Sequence, residues 1–339
     1  MPGFTSWLLD PADPCIRYRT MTELLGVSPG SMEAFLARRE MLASKNVTRL
    51  FARLDGRGVF PHVPKYYGNY TTFRYLYALS ELGLRKDDPH INKLVDWILY
   101  PSEEKREIFL RPELRDEHAY LMDESNLGSC HQIDFLGTLL RLGYYDDPRV
   151  QRYLTVFLEK CRFDGGYLCK WQKGNHRDRM PKSCYTASVN ALRVFSYLPR
   201  EYLQTDAFKH LLAYFTSRRM LYSRAEPNKM IASTLAMYNG CGYSHLFVIG
   251  DAMSRMGLGQ IPEMEEAWAL LRSKVNSHGR VVLEATDGKD TIHTTRVGMA
   301  NKYLTLKWRI CLKQLRQQES LTNAAESATL KLQTTGGLI

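Results

Sequence analysis

The segment Leu79-Ser80-Glu81-Leu82-Gly83-Leu84-Arg85-Lys86-Asp87-Asp88-Pro89 returns about 60 residues later as Leu139-Leu140-Arg141-Leu142-Gly143-Tyr144-Tyr145-Asp146-Asp147-Pro148. A repeat of this length narrows the possible folds sharply, because one unit cannot bury its apolar face alone and must stack on its neighbours. In the second unit, Val150, Tyr153, Leu154, Phe157 and Leu158 fall on one stripe of an α-helix. The partner helix runs through Phe135, Leu136, Leu139 and Leu142. Between the two, Gly143 suits a left-handed helix stop, while Asp147-Pro148 suits an N-cap followed by a first-turn proline. The unit is therefore a helical hairpin with both ends specified.

The first unit follows the same plan, with Phe73, Leu76, Leu79 and Leu82, then Ile91, Leu94, Val95 and Ile98 after Asp88-Pro89. Two looser units contain Val189, Leu192 and Phe195 with Phe208, Leu211, Leu212 and Phe215, then Phe247, Val248 and Met256 with Met264, Ala267, Leu270 and Leu271. A last helix, Tyr303 to Leu315, has no second half. The one β-like stretch is Arg280 to Glu284, so the fold class is all-α. Helical hairpins in series either stack as an open solenoid or close into a ring. Residues 317–339, rich in Thr, Ala, Ser and Gly, read as a polar, disordered C-terminal tail after a domain covering 1–316.

No uninterrupted apolar run is long enough to span a bilayer, and Met1 to Pro11 lacks the pattern of a secretory signal, so a cytoplasmic protein is expected. The net charge of +10 is spread along the chain and carries no specific nucleic-acid signal. Seven cysteines, an odd number in a long chain, suit reduced thiols or metal ligands better than a disulfide framework.

The order of several segments resembles the α/α-toroid superfamily of squalene and terpene cyclases and protein prenyltransferase β subunits, in its short bacterial form. The segments are Ile16 to Thr20 with Leu24-Leu25-Gly26, the two repeat units, Phe163-Asp164-Gly165-Gly166-Tyr167 and Asn301 to Leu306, together covering roughly residues 5 to 316. The resemblance implies a closed ring of paired helices around an apolar central cavity. The Asp-x-Asp-Asp acid of class II cyclases does not occur, and Asp87-Asp88 and Asp146-Asp147 are better read as helix caps than as the magnesium motif of class I synthases. Prenyltransferases hold zinc through Asp, Cys and His beside a basic patch for the diphosphate; their zinc motif is not reproduced here.

Three cysteines, Cys130, Cys169 and Cys184, occupy matching places near helix starts of successive hairpins. Zinc takes four thiolate, imidazole or carboxylate ligands, so these three are candidate ligands, with His176 preferred by loop reach as the fourth over His131 or Asp134. Against this stands the reading of the cysteines as small buried apolar residues. Between Lys170 and Lys182 five fixed positive charges fall in thirteen residues, and Lys173, Arg177, Arg179 and Lys182 are candidate ligands for a diphosphate or other polyanion. A solvated loop is the alternative. The aromatic run Tyr66, Tyr67, Tyr70, Phe73, Tyr75 and Tyr77 fits packing better than cation stabilisation, and Asp287-Gly288-Lys289-Asp290 with His293 reads first as a turn. Two functions follow as expectations. One is a terpene cyclase-like or prenyltransferase-like protein acting on an isoprenoid or similar apolar small molecule, with zinc as a possible cofactor; the other is a non-catalytic, zinc-stabilised binding or scaffold protein.

Overall fold

A computed structural model describes residues 3–54, 70–99, 130–168, 182–231, 235–238, 245–286 and 295–335. After a short α1 (Phe4–Leu8), α2 (Pro14–Arg19) runs into a π-helical turn (Thr20–Leu24), followed by α3 (Met32–Ala43) and α4 (Lys45–Phe51). The hairpins then follow as α5 (Tyr70–Leu82) with α6 (Ile91–Leu99), α7 (Cys130–Leu142) with α8 (Pro148–Glu159), α9 (Tyr185–Phe195) with α10 (Asp206–Thr216), and α11 (His245–Met256) with α12 (Glu265–Ser273). The last helix, α13, spans Lys302–Thr335 and takes in most of the polar segment after Gln317.

The described elements are helical apart from isolated bridges, and they form an α/α toroid. Helices α2, α5, α7, α9, α11 and α13 pack each on the next, and α13 closes the ring against α2 and its π-turn. The other long helices lie outside them. The unpaired last helix thus finds its place: it is the inner helix that joins the end of the chain to its beginning. The β-like stretch does not become a strand; Val281 and Val282 make single antiparallel bridges to Val275 and Ala300.

Local chemistry explains the hairpin ends. Asp147 accepts a hydrogen bond from Arg149 N at 2.9 Å, Pro148 opens α8, and Gly143 has φ +99°. Such a cap is worth about 1 kcal/mol. Val150, Tyr153, Leu154 and Phe157 are buried, and Leu158 lies at the edge of the core. Phe157 stacks on Tyr167 at 4.8 Å and tilts against Phe195 at 5.4 Å, which ties an outer helix to the inner ring. The first unit departs from its copy. Its Asp88 is buried, accepts from Arg85 N at 2.7 Å and pairs with the Arg38 guanidinium, so its side chain fastens the loop to α3; α6 begins only after His90, at φ +65°.

Candidate functional site on the ring axis

Each of the six inner helices, or the turn that ends it, sends a charged or phenolic side chain to a common centre. From α2 and its π-turn come Arg19 and Glu23, joined by two bonds of 2.7 and 2.9 Å. From α5 comes Glu81, wholly buried, with Arg19 Nη1 at 3.7 Å, Arg141 Nε of α7 at 3.5 Å and Lys307 Nζ of α13 at 3.7 Å around its carboxylate. The Tyr303 hydroxyl donates to the same carboxylate at 2.7 Å. Tyr197, just past α9, accepts from Arg141 Nη1 at 3.0 Å, and its ring lies within 6 Å of the guanidiniums of Arg141, Arg193 and Arg255. On α11, Asp251 holds Arg255 at 3.1 Å.

This ionic cluster corrects the expectation of an apolar cavity for an isoprenoid. Among the described residues the axis is filled by charge, and an apolar chain placed there would strip these groups of partners without replacing them, at a cost of several kcal/mol per ion. The same arithmetic explains the dense pairing: a charge brought this deep must be matched.

The matching is uneven. Burial alone would raise the Glu23 and Glu81 carboxyls, but the surrounding cations outweigh it and hold both well below the ordinary range: Arg19 with Arg141 and Arg255 for Glu23, Arg141 with Lys307 and Arg19 for Glu81. Asp251 is likewise lowered, burial being outweighed by Arg255 and Lys307. Tyr197 would also be raised by burial, yet Arg141 and Arg255 pull it below the usual phenol.

Asp134, near the N-terminal end of α7, behaves oppositely. Its Oδ1 accepts from a single guanidinium nitrogen, Arg193 Nη1 at 2.7 Å, and that nitrogen also reaches Asp134 O at 2.8 Å and Thr138 Oγ1 at 3.2 Å. Burial pushes its pKa up, and the pull of Arg193 and His131 does not cancel the push. The side chain nonetheless remains 19% exposed. His131 stands on the same helix start, and the Tyr77 ring lies 4.8 Å from the Arg193 guanidinium. A partly exposed carboxyl with a raised pKa, oriented by one arginine beside His131, keeps its proton to higher pH than an ordinary aspartate and is the acid of the cluster best suited to proton exchange.

Of the residues singled out in the sequence, Cys169, Lys173, His176, Arg177 and Arg179 lie outside the described residues, as do Tyr66, Tyr67, Asp287, Asp290 and His293. Lys182 is exposed just before α9. Cys130 is buried at the start of α7, where its carbonyl accepts from Asn190 Nδ2 at 2.7 Å. Cys184 caps α9, and its N–H donates to Tyr167 O at 2.8 Å. Among the described residues no three His, Cys, Asp or Glu side chains converge on a metal position, so Cys130 and Cys184 need further donors to complete one. Asp134, noted as an alternative ligand, instead faces Arg193.

Glu81, Arg141, Arg193, Arg255 and Lys307 did not figure as site residues in the sequence. Their signal was nevertheless present: Glu81 and Arg141 stand at equivalent places in the repeat, each a charge within an otherwise apolar inner helix.

No family model matches the chain, and no curated protein does. Among solved structures it is similar to a "Glycosyl hydrolase family 88 from Bacteroides vulgatus" (11% identity, TM-score 0.44, 93% of this chain and 99% of that one). It is similar also to a polysaccharide lyase (13% identity, TM-score 0.45, 94% of this chain and 98% of that one). Neither is a terpene cyclase or a prenyltransferase, and with charge filling the axis among the described residues the cyclase-like, prenyltransferase-like and isoprenoid expectations are corrected, while the toroid architecture stands.

Proposed function

We propose that the protein is an enzyme that uses the Asp134 carboxyl as a general acid–base on a polar, hydroxyl-bearing substrate bound at the end of the ring axis where α7 begins. The observation that carries this reading is that Asp134 combines a raised pKa with a side chain that burial leaves partly open to solvent, whereas the other acids of the cluster with shifted pKa values are held below the ordinary range. Arg193 orients the carboxyl, His131 adds a polar group from the same helix start, and the Tyr77 ring lies against the Arg193 guanidinium. In one half of a turnover the protonated carboxyl donates to a leaving oxygen. In the other, the carboxylate takes a proton from the attacking hydroxyl or from a carbon-bound hydrogen. The five described cysteines that are free thiols agree with a cytoplasmic setting.

The test is a panel of neutral and acidic oligosaccharides and hydroxy acids, screened by thermal shift and then by product formation. For a substrate found in this way, Asp134→Asn lowers kcat by roughly 100-fold or more with KM little changed. A variant that retains full turnover, or a panel with no substrate, refutes the reading.

A zinc ion held by Cys130, Cys169, Cys184 and His176 is a separate proposal, concerned with clamping two hairpins. It is favoured by Cys130 and Cys184 opening neighbouring inner helices that pack on each other. Metal analysis of protein purified without added metal is expected to give one zinc per chain, lost in Cys184→Ser. A metal-free wild type under conditions that retain zinc leaves the cysteines as unliganded thiols.

A further inference from the structure

A groove of about 620 Å³ lies away from the axis, between the connection that leads into α9 and the chain that leaves α10. Its walls include Phe163, Asp164, Tyr214, Arg218, Tyr222 and Arg224. The Asp164-Gly165-Gly166 turn forms one side. Gly165 has φ +82°, and a Cβ there would collide with the His210 carbonyl, so only glycine lets the turn lie this close to α10.

The opposite wall is strained. Arg219 and Met220 both have left-handed backbone, at φ +45° and +62°, an arrangement that costs non-glycine residues about 1 kcal/mol or more each. It is held by the Tyr185 hydroxyl, which donates to Met220 O at 2.6 Å, and by a short hairpin in which Ser223 N bonds Lys229 O at 2.9 Å and Ile231 N bonds Leu221 O at 3.0 Å. Strain maintained by this much support tends to mark a functional wall. Its effect is to stack the Arg218 guanidinium on Tyr214 at 3.7 Å and that of Arg219 on Tyr222 at 3.8 Å.

The charges do not balance. Asp164 is walled in, bonded by Ser183 N and the Ser183 hydroxyl, with Arg224 at 3.6 Å. Arg219 has Glu266 at 3.8 Å. Arg218 has no acidic partner among the described residues, and its Nε is buried without a hydrogen-bond acceptor. Beside it Phe163 is 73% exposed, a large ring left facing the groove and solvent.

We propose that this groove binds an oxyanion, a carboxylate or phosphate, carried on a planar ring. Arg218 and Arg224 hold the anion, and Phe163 and Tyr222 pack against the ring. Guanidiniums present paired donors to either oxyanion, and aromatic faces add stacking that inorganic ions cannot use. The site stands independently of Asp134.

Calorimetric titration of the full chain with phenyl phosphate, benzoate and inorganic phosphate tests it. Both ring-bearing anions are expected to bind saturably and to compete, with inorganic phosphate at least tenfold weaker. Arg218→Gln weakens all three at least tenfold. Phe163→Ala, a change at an exposed position, weakens the ring-bearing anions down to the level of inorganic phosphate and leaves that ion unchanged. Asp134→Asn binds phenyl phosphate as wild type does. No saturable binding by the wild type, or unaltered binding by a folded Arg218→Gln variant, overturns the proposal. If benzoate binds and phenyl phosphate does not, the carboxylate is the anion; the reverse assigns phosphate.

Discussion

Glu23 and Asp134 belong to one axial cluster, and their side chains are almost equally exposed, at 18% and 19%. Their acidities nevertheless move in opposite directions. Glu23 takes both arms of the Arg19 guanidinium and feels Arg141 and Arg255 as well. Asp134 has one nitrogen of Arg193, and that nitrogen is shared with Thr138 and with Asp134's own carbonyl. Solvent access therefore does not decide which acid is free to exchange a proton. The number of cations aimed at it does. One end of the cluster is locked as a structural ion network, while the other keeps a single acid short of neutralisation.

Breaking the locked end has the largest expected effect. Glu81→Gln leaves Arg19, Arg141 and Lys307 buried around a neutral amide, and urea unfolding should show a loss of about 3–5 kcal/mol. A change within about 1 kcal/mol would mean that the network is not closed as described. A smaller difference separates the two half-exposed acids. Glu23→Gln should lose about 2 kcal/mol, because charge-assisted bonds to Arg19 are replaced by weaker ones. Asp134→Asn should stay within about 1 kcal/mol of wild type, since its ionised form is already disfavoured. Equal losses in the two variants would erase the distinction.

The pH dependence of stability gives the finest test, and the signs differ. Glu23, Glu81 and Asp251 have lowered folded-state pKa values, so their contribution is complete above the ordinary carboxylate range and is lost as pH falls through and below that range. Asp134 is raised, so between its ordinary value and its folded value the native state binds more protons than the unfolded one, and its contribution declines as pH rises. Stability curves of Asp134→Asn and wild type should therefore diverge in that window, the variant lacking the decline. Parallel curves would remove the raised pKa.

Much of the ring was legible because its signals are local. Apolar stripes, Gly143 and Asp147-Pro148 specify hairpins without reference to anything distant. The first inner helix and its outer partner were harder to read. Helix α3 keeps Met32, Phe35 and Leu36 exposed, so its sequence lacks the one-sided stripe that marks an amphipathic helix, and α2 is short and ends in a π-turn. The axial cluster was least legible. A charge within an apolar helix can be read from the repeat, as at Glu81 and Arg141, but its partners come from helices far along the chain, as Tyr303, 222 residues on, does for Glu81. Asp134 could be noticed one turn beyond Cys130, yet its partner Arg193 is 59 residues further on, and so its surroundings could be read only from the ring.

The most direct test is a carbon-detected NMR titration of carboxyl-labelled Asp and Glu side chains in the intact protein, with Asp134→Asn and Glu23→Gln used to assign the two resonances. Asp134 is expected to have a midpoint above the ordinary aspartate value of about 3.9, and Glu23 one well below the ordinary glutamate value of about 4.3. An Asp134 carboxyl that titrates at or below its ordinary value would contradict the claim that the axis holds one acid poised for proton transfer.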